Sequence, residues 1–155
     1  MTSKPHLVLV DQTIIIDRPI DQVFAFLANH ENYALWFPDV ISITSDPSEP
    51  HGTVGKHYTE TIRLPTGWKK RISIPLVESN PPLQLATEGK FALLNPRMEY
   101  QLEAIDGDVT LLRWVFSSRT GSALGRALVR LLAGKALTDH AAVALPKLKA
   151  ILESP

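Results

Sequence analysis

The stretch SALGRALVRLLAGKALTDHAAVALPKLKAILES, residues 122–154, decides the fold. Leu124, Leu128, Leu131, Ala141, Leu145, Leu148 and Leu152 recur at spacings near a helical turn, which sets them in one stripe of a helix. Arg126, Arg130, Lys135, Asp139, Lys147, Lys149 and Glu153 fall mostly off that stripe. At about 1.5 Å per residue the helix would be roughly 45 Å long, more than the width of a domain this size, so a bend or break is expected. Gly134 and Pro146 are the two places for it, because proline lacks the amide that would bond back toward Ala142. The middle of the stretch is small (Gly134, Ala136, Thr138, Ala141, Ala142). That calls either for close packing or for unfilled space beside Ala141 and Ala142.

An apolar helix of this length needs a broad partner surface, and the rest of the chain supplies one. Thr120-Gly121-Ser122 leads into the helix, with Ser122 as its N-cap. Asp106-Gly107-Asp108 is a hairpin signal between strands at 98–104 and 109–118. Further back, 40–45, 55–64, 68–78 and 83–88 read as strands separated by Pro- and Gly-rich turns. A short helix or turn is expected at 29–36. Before it, Ile20, Val23, Phe24 and Leu27 form the stripe of a helix that opens at Pro19 with Asp21 in its first turn. Residues 7–17 alternate and are β-branched, with Val8, Val10, Ile14 and Ile16 on one side of a strand. The order predicts an α+β fold: an antiparallel sheet of six to seven strands covered on one face by the last helix. No boundary divides residues 1–155, so one domain is expected.

Composition narrows the function classes. The 45% hydrophobic and 21% charged fractions are those of a soluble globular chain. Sixteen basic and sixteen acidic residues cancel, so no global field favours nucleic acid. The absence of cysteine excludes disulfides, thiolate zinc sites and a cysteine nucleophile. Met-Thr-Ser-Lys-Pro-His lacks the apolar core of a signal peptide, and no apolar run spans a bilayer, so a cytoplasmic location is expected. His6, His30, His51, His57 and His140 are scattered without metal-ligand spacing, and neither metal nor cofactor is expected. Gly52 to His57 misses the phosphate-loop pattern, with Pro50 in place of the first glycine. Thr120 to Gly125 is no nucleophile elbow. Arg126, Arg130 and Lys135 tilt the last helix basic; a solvated face is preferred to a contact with acidic lipid headgroups.

Several segments together carry a family resemblance. They are Ile-x-Ile-x-x-Pro-x-x-x-Val-Phe from Ile14 to Phe24, Asn32-Tyr33 through Trp36-Phe37-Pro38, and Val54-Gly55-Lys56-His57-Tyr58. Val77 to Pro82, Gly107 to Trp114 and Leu145-x-x-Leu148-Lys149 add to them. In this order they resemble the START-like helix-grip superfamily, in particular its polyketide cyclase/dehydrase and lipid-transport branch. The resemblance covers nearly the whole chain. It implies a curved sheet gripping the last helix, a mostly apolar cavity between them, and Trp36 and Phe37 at one rim of its mouth. It implies no single chemistry.

Strand alternation proposes the cavity face. Met98, Tyr100, Leu102 and Ala104 oppose Glu99, Gln101 and Glu103. Thr110, Leu112, Trp114 and Phe116 oppose Leu111, Arg113, Val115 and Ser117. Ile72, Ile74 and Leu76 oppose Lys69, Arg71, Ser73 and Pro75. Tyr58, Glu60 and Ile62 share a face, so inward Tyr58 and Ile62 bring a carboxylate in with them. The rarity of buried carboxylates weighs toward a twisted strand with Glu60 in solvent. If it is inward, Glu60 is the group to hold a polar ligand atom or move a proton. Tyr100 and Trp114 can offer further donors from the wall, against the preferred reading of core aromatics whose polar tips are satisfied. The expected lining is thus Trp36, Tyr58, Glu60, Ile72, Ile74, Met98, Tyr100, Leu112, Trp114, Phe116, Ala141 and Leu145.

Binding of a small hydrophobic or amphipathic molecule, lipid or polyketide-like, is the leading reading. A cyclase or dehydratase with Glu60 as acid or base is the first alternative, and a chaperone-like interaction module the second. One inward carboxylate, with no inward histidine or arginine, tilts the balance toward binding and leaves catalysis open. A monomer or homodimer without integral membrane association is expected.

Overall fold

The computed structural model describes residues 5–155. The reading of Met1 to Lys4 as part of a segment unlike a signal peptide lies outside the described residues. Strand β1 (Leu7–Ile16) is followed by helix α1 (Ile20–Ala28) and a 3-10 helix (His30–Leu35). Strands β2 (Val40–Ser45), β3 (His57–Arg63), β4 (Lys69–Asn80), β5 (Gln84–Glu88), β6 (Pro96–Asp106) and β7 (Val109–Ser118) come next, and helix α2 (Ala123–Glu153) ends the fold. The strands form one open, curved antiparallel sheet in the order β1-β7-β6-β5-β4-β3-β2. The chain therefore enters at one edge and crosses to the other through α1 and the 3-10 helix. It then meanders back strand by strand until β7 pairs with β1. This is the α+β helix-grip architecture.

Two departures from the simple patterns have local causes. Val8 was expected on the inner side of β1 with Val10, yet it is 53% exposed while Leu7 and Val10 are buried. The register against β7 shifts between Val8 and Val10, and such a bulge reverses the alternation on one side of itself. On β7, Val115 and Ser117 were expected to face out into water; both are buried all the same. Ser117 lies opposite Arg97, which is itself buried on the face away from Met98, held by Glu78, Glu88 and Glu99 at 2.7 to 3.0 Å.

Helix α2 starts where the sequence indicates, with the Ser122 side chain accepting from the Gly125 amide at 3.0 Å. It runs unbroken through Gly134 and Pro146, so the expected break is absent. The buried line also differs. Gly125, Val129, Ala141, Ala144, Leu145 and Leu148 are buried, with Ala133 and Leu137 half-buried between them. Residues four apart drift about 40° around a helix, so this contact line winds around α2 along its length. Leu124 and Leu131, placed by the sequence on the core stripe, are 72% and 77% exposed. The helix is clasped at its far end. Asp17 donates its amide to Glu153 at 2.8 Å, Arg18 donates to the Glu153 carbonyl at 2.7 Å, and Lys149 donates to the Ile15 carbonyl at 2.6 Å.

Candidate functional site

A cavity of about 230 Å³ opens between the sheet, the segment after the 3-10 helix, and the middle of α2. Its inner wall is His30, Tyr33, Phe37, Glu60, Ile72, Ile74, Thr87, Met98 and Phe116. The mouth is ringed by Asp39, Arg63, Leu64, Pro65, Phe91, Leu94, Leu137 and His140. Gly89 also lines it, and a Cβ there would lie 2.6 Å from the Ile74 Cδ1. The backbone thus approaches Ile74 as only glycine allows without displacing that side chain.

Glu60 sits on β3 between β2 and β4, paired with Ile43 on one side and Ile72 on the other. Because β2 takes the edge, β3 is an inner strand and its alternation holds. Glu60 is 7% exposed and faces the cavity. The preference for a solvent-facing Glu60 is overturned. Beside it stands His30, 3% exposed, with Nε2 3.5 Å from the Glu60 Oε2. This corrects the expectation that no histidine faces inward. Its signal was present: Leu27, His30 and Tyr33 recur every three residues, and all three are buried.

Aromatic rings fix the histidine. It stacks on Tyr33 at 5.2 Å and meets the edge of Tyr58 at 5.3 Å. Tyr58 is locked in turn, its hydroxyl 2.9 Å from the His51 Nδ1 and 3.3 Å from the Ala28 carbonyl. The His30 Nε2 is left buried without a hydrogen-bond partner. An orphaned donor or acceptor of this kind costs about 1–3 kcal/mol, and a ligand atom would relieve it. Burial pushes the Tyr33 and Tyr100 phenols well above their ordinary value, and the nearby Glu60 charge pushes further. Burial likewise raises Tyr58 to about 12. These phenols stay protonated at neutral pH.

Of the twelve residues named from the sequence, Glu60, Ile72, Ile74, Met98 and Phe116 line this cavity. Trp36, Tyr58, Tyr100, Leu112, Trp114, Ala141 and Leu145 are buried in the core around it. Trp114 lies behind Phe37 and Phe116, with ring centroids 5.7 and 6.0 Å away. Trp36 and Tyr100 pack at a tilt, with ring centroids 6.5 Å from each other. They set the positions of the side chains in front of them. The small residues of α2 serve close packing at Ala141 and Ala144, whereas Ala142 is exposed. The space lies one turn earlier, at Leu137 and His140. There His140 reaches across the mouth to Asp39 at 3.3 Å and packs edge-on against Phe37. Lys56 is spent within its own loop, donating to the carbonyls of Asp46, at 2.7 Å, and Glu49. His57 bonds Ser73 at 3.1 Å rather than approaching His51.

A family model described as polyketide cyclase / dehydrase and lipid transport matches residues 8–153. No curated protein sequence matches the chain. Solved structures share the fold. The di-domain aromatase/cyclase BexL of the BE-7585A biosynthetic pathway is 18% identical, with a TM-score of 0.67 over 94% of this chain. This chain spans only 50% of that protein. The Zhui aromatase/cyclase from Streptomyces sp. R1128 is 16% identical, with a TM-score of 0.69 over 93% of this chain and 92% of its own. A START superfamily protein from Mycobacterium smegmatis is 15% identical, with a TM-score of 0.66 over 93% of this chain and 96% of its own. At such identities the likeness is one of fold, and the family follows from the match along the sequence: the chain belongs to the polyketide cyclase/dehydrase and lipid transport family.

Proposed function

We propose that the protein binds a small, mostly apolar molecule in this cavity, with a single polar group held at the inner wall by His30 and Glu60. The buried His30 Nε2 without a partner, 3.5 Å from Glu60 on a mostly apolar inner wall, carries the reading. Affinity comes from apolar surface removed from water, at about 25 cal/mol per Å². Orientation comes from the polar pair. The size is also informative. A dry cavity of about 150 Å³ holds benzene, so about 230 Å³ suits one ring with substituents or a short acyl chain better than an entire phospholipid. Thermal-shift and calorimetric titration with one-ring phenols and ketones, p-cresol and acetophenone first, tests this. Binding by the native chain that weakens tenfold or more in Glu60→Met and in His30→Phe is expected. No shift with any of them, and no ligand extracted from the purified protein, would overturn it.

A second reading, an enzyme of cyclase or dehydratase type, is favoured by one observation: His30 stands beside Glu60, giving two titratable groups where the sequence indicated one. The pair could take a proton from a carbon next to a carbonyl and return one to the departing or accepting oxygen. A Glu60→Gln variant that converted a confirmed polyketone substrate at the native rate would sink this reading while leaving binding intact.

A further inference from the structure

The Glu60 side chain is 10% exposed and faces the cavity, yet among the described residues no hydrogen bond reaches its carboxylate. The nearest group able to carry a positive charge is the His30 Nε2, which stands 3.5 Å off and has no hydrogen-bond partner of its own. Half-buried carboxylates elsewhere in the fold are treated differently. Glu31 accepts from the Ser45 hydroxyl at 2.7 Å, and Glu88 and Glu99 accept from Arg97 at 2.7 and 3.0 Å. An acid that the fold takes out of water and leaves without donors is open to donors from a ligand. Asp39, the other acid lining the cavity, is half-exposed at the mouth and already meets His140 at 3.3 Å.

Which donor fits follows from the chemistry of the wall. A ketone oxygen brings only lone pairs to a carboxylate, a ligand acid brings a like charge, and a hydroxyl brings one donor. A primary ammonium brings three donors and a positive charge, enough to serve Glu60 and to donate to the His30 Nε2 as well. Bonds of this charge-assisted kind are about twice as strong as neutral ones. Folding has already removed the carboxylate from water, so the ligand loses only its own hydration on entering. Around the pair, Ile72, Met98 and Phe116 suit a hydrocarbon body. Resting on the reading that this cavity holds a small apolar molecule by its polar pair, we infer that the ligand is a protonated aralkyl amine. One ring on a short chain fits the cavity of about 230 Å³, with its terminal ammonium at Glu60 and His30.

The test is calorimetric titration of the full chain at neutral pH with 2-phenylethylamine, 2-phenylethanol and 3-phenylpropanoate. Their bodies match, and their ends are cationic, neutral and anionic; an alkylamine, like that of lysine, is protonated there. The amine should bind about tenfold or more tightly than the alcohol, and the propanoate most weakly. Glu60→Gln keeps the shape of the side chain and should erase the advantage of the amine while still binding the alcohol. That advantage should persist near 1 M salt, because a buried pair is screened little, whereas attraction to the half-exposed Asp39 would be lost. An alcohol that binds the native chain as tightly as the amine overturns the inference and leaves the binding function standing; His30 would then supply the positive charge. An advantage that survives Glu60→Gln, or that vanishes in salt, overturns it too. The ranking in the native chain needs no variant, so a Glu60→Gln chain that fails to fold leaves the test decisive. If p-cresol or acetophenone binds and the amine does not, this inference alone falls. If nothing in either series binds, the proposed function falls with it.

Discussion

The His30–Glu60 pair should reduce stability rather than add to it, and replacing both members tests this. At 3.5 Å an imidazolium and a carboxylate would attract by about 5 kcal/mol at an effective dielectric near 20. Taking each group out of water costs several kcal/mol, and the pair has little else to offset it. Nε2 of the histidine lacks a hydrogen-bond partner, and the separation is long for a strong bond. His30→Phe keeps a ring to stack on Tyr33, and Glu60→Met keeps the volume of the carboxylate side chain without its charge. The double variant should be more stable than the native chain by about 1–4 kcal/mol. In a chain of this length 2 kcal/mol raises Tm by about 4–8 °C. His30→Phe alone should destabilise, because it leaves Glu60 buried without its neighbour. Urea denaturation followed by circular dichroism, with equal slopes across the set, reads the differences. A double variant that unfolds at lower urea than the native protein would refute the reasoning. The pair would then be a structural tie, and the case for a functional site would lose its main physical support.

Three further predictions concern other parts of the molecule. Arg97→Leu removes the cation shared by Glu78, Glu88 and Glu99 and leaves three carboxylates facing one another. It should cost about 3 kcal/mol by urea denaturation, the low end of the range for a buried pair because Glu78 is half exposed, and a loss below about 1 kcal/mol would contradict the assignment. Ile62→Trp enlarges a half-buried cavity-wall residue toward the mouth. It should abolish the calorimetric signal with one-ring ligands and shift stability by about 1–3 kcal/mol at most; retained affinity would mean that ligands enter elsewhere. Glu153, Asp11 and Asp46 have carboxyls held below their ordinary 4.5, 3.8 and 3.8. The causes, in the same order, are the Asp17 amide, the Arg113 guanidinium and the Ser48 amide. A depressed folded-state value gives stability that is complete above the unfolded value and lost as pH falls through the folded one. Thermal melts should therefore stay level near neutrality and decline from about pH 5 downward, less steeply in Glu153→Gln. An unchanged slope in that variant would remove the α2 clasp from the account.

Much of the architecture was legible along the chain because local rules do not depend on distant residues. Proline and glycine punctuation marked the strands, alternation assigned Met98, Ile72 and Phe116 to the inner face, and Ser122 marked the start of α2. Periodicity alone put Glu60 on the same side as buried Tyr58. What the chain could not supply was neighbourhood. That Glu60 is enclosed follows from β2 pairing outside β3, a contact between segments whose order in space is set by the whole sheet. That His30 reaches Glu60 follows from the crossing of α1 and the 3-10 helix beneath the sheet. Which leucines of α2 are buried was also beyond one-dimensional reading: a helical stripe has one orientation in the sequence, but the buried line of the folded helix winds around it. The sequence determined the elements and the polar groups available to the site. Tertiary structure alone decided which groups meet and which leucines remain in water, because burial is a property of the surface opposite a residue and not of the residue itself.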